Sequence, residues 1–66
     1  MLCVLLAYNK LNDKIIYSKV VKYENQQELN TLINAFKQNV VRLSGMYSFN
    51  LYFTKVGLDY STEEPI

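Results

Sequence analysis

The chain begins with two apolar runs of strand length, separated by a short polar segment. Residues 2–8 are continuously apolar, residues 9–13 are mostly polar turn formers, and residues 14–23 are rich in β-branched and aromatic side chains. Two runs of this kind around a short polar turn predict a β-hairpin. Because the turn spans about five residues, we expect a type I turn with a bulge rather than a two-residue loop.

A helical period follows the hairpin. Its apolar positions are Leu29, Leu32, Ile33, Phe36 and Val40. The spacing i, i+3, i+4, i+7 and i+11 places these side chains on one face of an α-helix. Asn25 is a favoured N-cap residue, and Glu28 stands three positions later, where a capping box places its acid. The pattern predicts a helix over residues 26–38 or 26–40.

Residues 42–45 are predicted to connect this helix to a third strand over residues 46–56. Apolar side chains at Tyr47, Phe49, Leu51 and Phe53 alternate with polar ones at Ser48, Asn50 and Thr54. Such alternation is typical of a strand with one face against a core. Gly57 is expected to end the strand. Residues 59–66 have no periodicity and predict an acidic, flexible C-terminal tail.

The predicted fold class is α+β, in the order β-β-α-β, with a three-stranded antiparallel-type sheet and one helix packed on one face. A chain of 66 residues has room for one such domain, over residues 1–58, followed by the tail over 59–66. Its apolar fraction of 50% is too high for a disordered chain.

One helix covers only one face of a sheet, and the first strand is apolar on both of its faces. We therefore expect this strand to be central and its second face to be covered, either by a second copy of the chain or by the tail or the 41–46 loop. The predicted partner or dimer interface consists of Tyr8, Tyr17, Tyr23, Tyr52, Val20 and Leu5. Six tyrosines are many for this length. They favour an interface, although an AT-rich coding genome would also raise their number.

The composition excludes most enzyme classes. The chain has no histidine, one cysteine and two glycines, so it has no imidazole base, no Cys–His dyad, no zinc-type ligand set and no glycine-rich phosphate loop. We expect no catalytic residues, no cofactor and no metal. Cys3 is expected to be a small buried hydrophobe rather than a nucleophile.

The small net charge hides an uneven distribution. Residues 1–58 contain all 7 basic residues but only three acidic ones, giving +4, whereas residues 59–66 contain three acidic residues and no basic one, giving −3. Lysines among tyrosines could bind single-stranded nucleic acid, and the alternative site is Lys14, Lys19, Lys22, Arg42 and Lys55. On the second strand, Lys14 and Lys22 are expected to share a face with Ser18, and Lys19 to point the other way. The simpler interpretation is that edge-strand lysines prevent aggregation.

The N-terminal apolar run is shorter than the roughly 20 residues of a membrane span. No basic segment precedes it, as one would in a signal peptide. Together with the lone thiol, this favours a cytoplasmic location.

Two stretches resemble known families. The end of the tail, Glu63-Glu-Pro-Ile66, is similar to the acidic tip of bacterial single-stranded DNA-binding proteins, which recruits partners, although the usual terminal Phe is missing. Phe49-Asn-Leu-Tyr52, followed by Gly57-Leu-Asp59, resembles the small nonstructural protein of microviruses, which are single-stranded DNA phages. The chain departs from that family by two extra residues between these motifs and by lacking a Pro-rich loop after its first strand.

The microvirus resemblance implies a phage origin, a location in the host cytoplasm and a non-catalytic accessory role, with no catalytic residues to carry over. The layout is also similar to small phage inhibitors of host enzymes. The leading hypothesis is a homodimeric accessory protein that binds, and could inhibit, a host or phage protein through a Tyr-rich sheet face or edge. The alternatives are a single-stranded nucleic-acid-binding protein and a purely structural self-associating subunit.

Overall fold

The structure is a computed structural model that describes residues 1–59 and 62–66. Its elements are β1 (Leu2–Asn9), β2 (Lys14–Lys22), α1 (Gln26–Ser44), a 3₁₀ turn (Ser48–Asn50), β3 (Leu51–Gly57) and β4 (Glu63–Pro65). The strands form one antiparallel sheet in the order β2-β1-β3-β4. The α+β class with one helix and a central first strand is confirmed. The predicted three-stranded sheet is wrong by one strand, because residues 63–65, which were assigned to the tail, form β4. Residues 60 and 61 of the predicted tail lie outside the described residues.

The predicted hairpin is present, and residues 10–13 connect its strands. The Asn9 carbonyl accepts hydrogen bonds from the amides of Asn12 (3.3 Å) and Asp13 (2.8 Å), and Asp13 takes the left-handed backbone conformation with φ 56°. A bulge interrupts the pairing, because Ala7 is opposite Tyr17 whereas Tyr8 is opposite Ile15. Because β2 has one extra residue at this point, the side chains that precede the bulge lie on the opposite faces from those that simple alternation predicts.

The helix begins where the sequence predicts and ends later. Asn25 is its N-cap, and the Asn25 Oδ1 accepts a 2.8 Å hydrogen bond from the Glu28 amide. The predicted end at residue 38 or 40 and the predicted connection over 42–45 are wrong, because α1 continues to Ser44. No helix breaker occurs before Gly45, whose φ of 68° provides the left-handed C-cap that many helices end on.

The core lies between α1 and one face of the sheet. The helix buries Leu29, Ile33, Phe36 and Val40. The sheet buries Cys3, Leu5, Ala7, Val21, Leu51 and Phe53 on the same side. The rings of Phe36 and Phe53 meet edge to face, with centroids 6.1 Å apart, a favourable aromatic geometry. This face of the sheet is called the helix face below.

The third strand is shorter than predicted. It begins at Leu51 rather than at residue 46, because the Asn50 amide donates to the Tyr47 carbonyl (3.0 Å) and closes a 3₁₀ turn. The predicted alternation holds for Leu51 and Phe53, which are buried, but not for Tyr47 and Phe49, which are 72% and 69% exposed. None of the described helices is long and apolar enough to cross a membrane.

Candidate interaction surfaces

The sheet face opposite α1, called the open face below, is largely apolar. The pairing of β1 with β2 and β3 determines which side chains share it, because directly opposed residues lie on the same face. Its members on these three strands are Leu2, Val4, Leu6, Tyr8, Ile15, Ser18, Val20, Lys22, Tyr52, Thr54 and Val56. On β4, Pro65 and Glu63 lie opposite Thr54 and Val56 and share the same face. The helix packs on the other face, and the exposed apolar members of the open face are Leu2, Ile15, Val20 and Tyr52.

Several apolar side chains of the open face are exposed to solvent. Val20 on β2 is 61% exposed, and Tyr52 on β3 is 43% exposed. The rings of Tyr8 and Tyr52 are 6.3 Å apart and inclined at 45°. They border a shallow cavity of about 310 Å³ that is also lined by Lys10, Asp13 and Glu63. Contiguous exposed apolar surface on a small domain is typical of an interaction site.

Thr54 lies at the centre of the open face and is unusual for its burial. It is only 1% exposed, between Leu6 on β1 and Pro65 on β4. Its hydroxyl oxygen has no hydrogen-bond partner within the described structure. A buried hydroxyl without a partner reduces stability, because its hydrogen bonds to water are lost without replacement.

The structure separates the six residues of the predicted interface. Tyr8 and Tyr52 lie together on the open face, and Val20 lies on the same face opposite Val4, while Tyr17 lies opposite Ala7 on the helix face. Leu5 and Tyr23 are buried in the core. These two residues therefore do not contribute to an exposed interface, because the chain itself already covers their side chains. Alternation along the strands alone does not distinguish the two faces of an all-apolar strand.

The five cations of the alternative nucleic-acid site do not form one continuous track. Lys14 and Lys19 lie on the helix-face side of β2, and Lys22 lies opposite Leu2 on the open face. The expectation that Lys14 and Lys22 share a face is wrong, because the bulge reverses the alternation between them. Arg42 is in the last turn of α1. Lys55 is on β3, so β1 lies between it and the three lysines of β2. Its Nζ is 3.7 Å from the Glu64 Oε2.

A groove that sequence analysis did not predict runs along the side of α1 that faces β3. Two cavities of about 370 Å³ and 560 Å³ meet at their common lining residue, Lys37. The first is bordered by Ile33, Lys55 and Ile66, and the second by Val41, Arg42, Ser48 and Phe53. The Lys37 Nζ lies 5.7 Å from the centre of the Phe53 ring, within range of a cation–π interaction. We call this feature the helix groove.

The signal for the helix groove was present in the sequence. Arg42 followed by Gly45 is a helix C-terminal pattern, and a helix that ends at Gly45 carries Lys37, Val41 and Arg42 on its last two turns. The predicted helix end at residue 38 or 40 excludes Val41 from the helix, and the predicted connection over 42–45 contains Arg42.

Two exposed aromatic residues are neighbours in the sequence of a residue that lines the groove. The rings of Tyr47 and Phe49 are stacked, with centroids 5.3 Å apart and an interplanar angle of 8°. They flank Ser48, which lines the larger cavity. Phe49 is the first residue of the motif that resembles the microvirus protein.

Cys3 is fully buried in the helix-face core. Burial raises the pKa of its thiol above the ordinary value of 9.0, and the positive charge of Lys55 acts in the opposite direction. A buried thiol with a raised pKa is a poor nucleophile, because the reactive thiolate is disfavoured. Among the described residues, no three Cys, Asp or Glu side chains are grouped so that they could hold a metal ion.

Comparisons of the chain with models of protein families, with curated protein sequences and with solved structures each found no match. The resemblance to the small nonstructural protein of microviruses therefore stays a prediction that is based on Phe49-Asn-Leu-Tyr52 and Gly57-Leu-Asp59.

Proposed function

We propose that the chain is a small non-catalytic accessory protein that forms a homodimer through the open face of its sheet and binds another protein. The observation that carries this proposal is the apolar open face, on which Val20 is exposed beside Val4 at one end and Tyr52 is exposed beside Tyr8 at the other. Pairing the open faces of two copies would remove this surface from water by a symmetric contact, the commonest form of self-association.

The structure argues against the intramolecular alternatives for covering this face. Residues 41–44 belong to α1 and therefore lie on the opposite side of the sheet. Met46 packs against the helix-face core. Residues 63–65 extend the sheet at its edge as β4 rather than lying over it. A second copy is the simplest cover that remains for the described part of the open face.

Face-to-face packing is favoured over edge-to-edge pairing by the charges on β2. A symmetric antiparallel pairing of two β2 edges centred on Ser18 would place Lys14 of each copy opposite Lys22 of the other. Like charges directly opposite each other destabilise a sheet. Lysines on an edge strand are also a common means of preventing such pairing.

The small size of the open face is typical of a weak, reversible interface. Three long strands about 4.8 Å apart, each about eight residues at 3.3 Å per residue, cover a rectangle of roughly 350 to 400 Å². That is smaller than the roughly 800 Å² per partner of a standard stable interface. We therefore expect a dimer that dissociates in the micromolar range.

Two matched substitutions test where the interface lies. Val20→Lys places a charge on the open face next to Lys22, whereas Leu43→Lys makes a similar change at a 62% exposed position on α1. Because both side chains are exposed, neither variant should lose the fold. We expect Val20→Lys to weaken dimerisation by about tenfold or more and Leu43→Lys to leave it unchanged. Equal dimer dissociation constants for the two variants in sedimentation experiments would disprove the open-face interface.

A further inference from the structure

The chain itself shows which type of segment binds beside β3. Residues 63–66 are extended, and they combine two acidic residues with an apolar one. Glu64 lies opposite Lys55 with 3.7 Å between their charged atoms. The Ile66 amide donates a 2.9 Å hydrogen bond to the Phe53 carbonyl, and the Ile66 side chain packs against the core. An acid is thus paired with a lysine, and an apolar side chain on the same face borders the first cavity of the helix groove.

The larger cavity of the groove repeats this chemistry. Its apolar lining consists of Val41 and Phe53, and its cations are Lys37 and Arg42. No acidic residue lines it. The described contact of the Arg42 guanidinium is a 3.1 Å hydrogen bond from Nη2 to the uncharged Asn39 Oδ1. The cavity therefore offers positive charge around an apolar floor, and an acidic side chain of a ligand would complement it.

The neighbouring strand edge is also open at this point. β4 pairs with Thr54, Lys55 and Val56 only. Beyond the hydrogen bond at Phe53, no described strand lies along the outer side of Leu51 and Tyr52. An extended segment that lies beside this edge would reach the larger cavity in the way that Ile66 reaches the smaller one, and strand addition of this kind is a recurrent mode of peptide recognition.

We propose that the larger cavity of the helix groove binds an extended segment of a partner protein in which an apolar residue has an acidic residue two positions away on each side. In the extended conformation these three side chains lie on one face of the segment, so the apolar one occupies the space above Val41 and Phe53 and the carboxylates pair with Lys37 and Arg42. This inference deepens the proposed protein-binding role. It does not depend on the dimer, because the groove and the open face lie on opposite sides of the sheet.

The probe is a fluorescein-labelled peptide of sequence Gly-Glu-Ser-Phe-Ser-Glu-Gly, whose two glutamates share a face with its phenylalanine when it is extended. Its binding to the full chain is measured by fluorescence anisotropy. The control peptide has lysine in place of each glutamate. We expect the acidic peptide to bind and the basic one not to bind. Binding should weaken as the salt concentration rises from about 50 to 300 mM, because the charges that hold the peptide are at the surface.

Two double variants locate the site, and both remove two positive charges. Lys37→Gln with Arg42→Gln should weaken peptide binding by roughly tenfold or more. Lys14→Gln with Lys22→Gln removes the same charge from β2 and should change binding by less than about twofold. Equal effects of the two variants would overturn the proposal, because binding would then follow net charge alone. Circular dichroism checks that each variant is folded.

A labelled oligothymidine is the competing probe. If it binds and the acidic peptide does not, the chain binds nucleic acid rather than an acidic segment and the proposal fails. The measurements are repeated in the Val20→Lys background. Peptide binding that persists there, at a concentration where this variant is monomeric, supports a groove that works without the dimer. Loss of binding in that background contradicts it. A monomeric wild-type chain that still binds the peptide would refute the dimer and leave the groove intact.

Discussion

Tyr8 and Tyr52 stand directly opposite each other on β1 and β3, and their rings are 6.3 Å apart at an angle of 45°. The contact joins residues that are far apart in the chain. It lies at the end of the open face near the hairpin turn, beside Lys10, Asp13 and Glu63. The pair therefore contributes to the sheet and to the surface that we propose for dimerisation.

The tyrosine pair should show a measurable coupling energy. A double-mutant cycle with Tyr8→Ala and Tyr52→Ala, followed by urea unfolding of dilute monomer, is expected to give about 0.5 to 1.5 kcal/mol, as for other aromatic pairs. The control cycle combines Tyr17→Ala with Tyr52→Ala, because Tyr17 lies on the helix face. The control coupling should be close to zero. A coupling as large in the control cycle would contradict a direct ring contact.

Thr54→Val should stabilise the protein. Valine has nearly the same shape as threonine. The change removes a hydroxyl that has no hydrogen-bond partner and belongs to a side chain that is only 1% exposed. Removing that group without leaving a cavity should raise the free energy of unfolding by about 1 kcal/mol. The matched control is Thr31→Val, which removes a hydroxyl that donates a 3.1 Å hydrogen bond to the Gln27 carbonyl on the exposed side of α1. It should have little effect or a small destabilising one. A lower unfolding free energy for Thr54→Val would mean that the hydroxyl has a partner in solution.

Asn25→Ala should destabilise the protein through loss of the helix cap. The Asn25 Oδ1 accepts a 2.8 Å hydrogen bond from the Glu28 amide. Without it we expect the free energy of unfolding to fall by about 1 kcal/mol. Asn34→Ala is the control, since Asn34 is exposed in the middle of α1 and alanine is the better helix former. If both variants have the same stability, the cap does not contribute as described.

Cys3 should react slowly and should make stability pH-dependent. Its pKa is raised by burial in the folded chain, so the unfolded thiol loses its proton at lower pH than the folded one. The contribution of the neutral thiol is complete below the ordinary value of 9.0 and decreases as the pH rises above it. We expect the unfolding free energy of the wild type to fall more steeply above that pH than that of Cys3→Ala. Labelling by a maleimide at neutral pH should require unfolding, and rapid labelling of the folded chain would contradict the burial.

Local patterns predicted the hairpin, the start of the helix and the central position of β1. These features follow from turn residues, from the Asn25 cap and from an apolar run, all of which act over a few residues. The fourth strand could not be predicted in this way. Residues 63–65 are neither β-branched nor aromatic, and they become a strand because β3 offers an edge and Lys55 offers a charge. Both are tertiary effects.

The candidate surfaces were predicted less well for a similar reason. The bulge opposite Ala7 and Tyr8 moves Lys14 and Ile15 to other faces, and nothing in the sequence marks its position. Leu5 and Tyr23 have the same residue character as Leu6 and Tyr8, and only the position of α1 decides which are buried. The three predicted interface residues that share the open face, Tyr8, Tyr52 and Val20, come from three different strands.

Sedimentation equilibrium of the wild-type chain, over about 1 to 500 μM and at low and high salt, tests the central claim most directly. Because the proposed interface is apolar, we expect the mass to rise with concentration from the 7.7 kDa monomer toward twice that value. High salt should preserve or strengthen the association. A single monomeric species over the whole range would contradict the open face as a dimer interface.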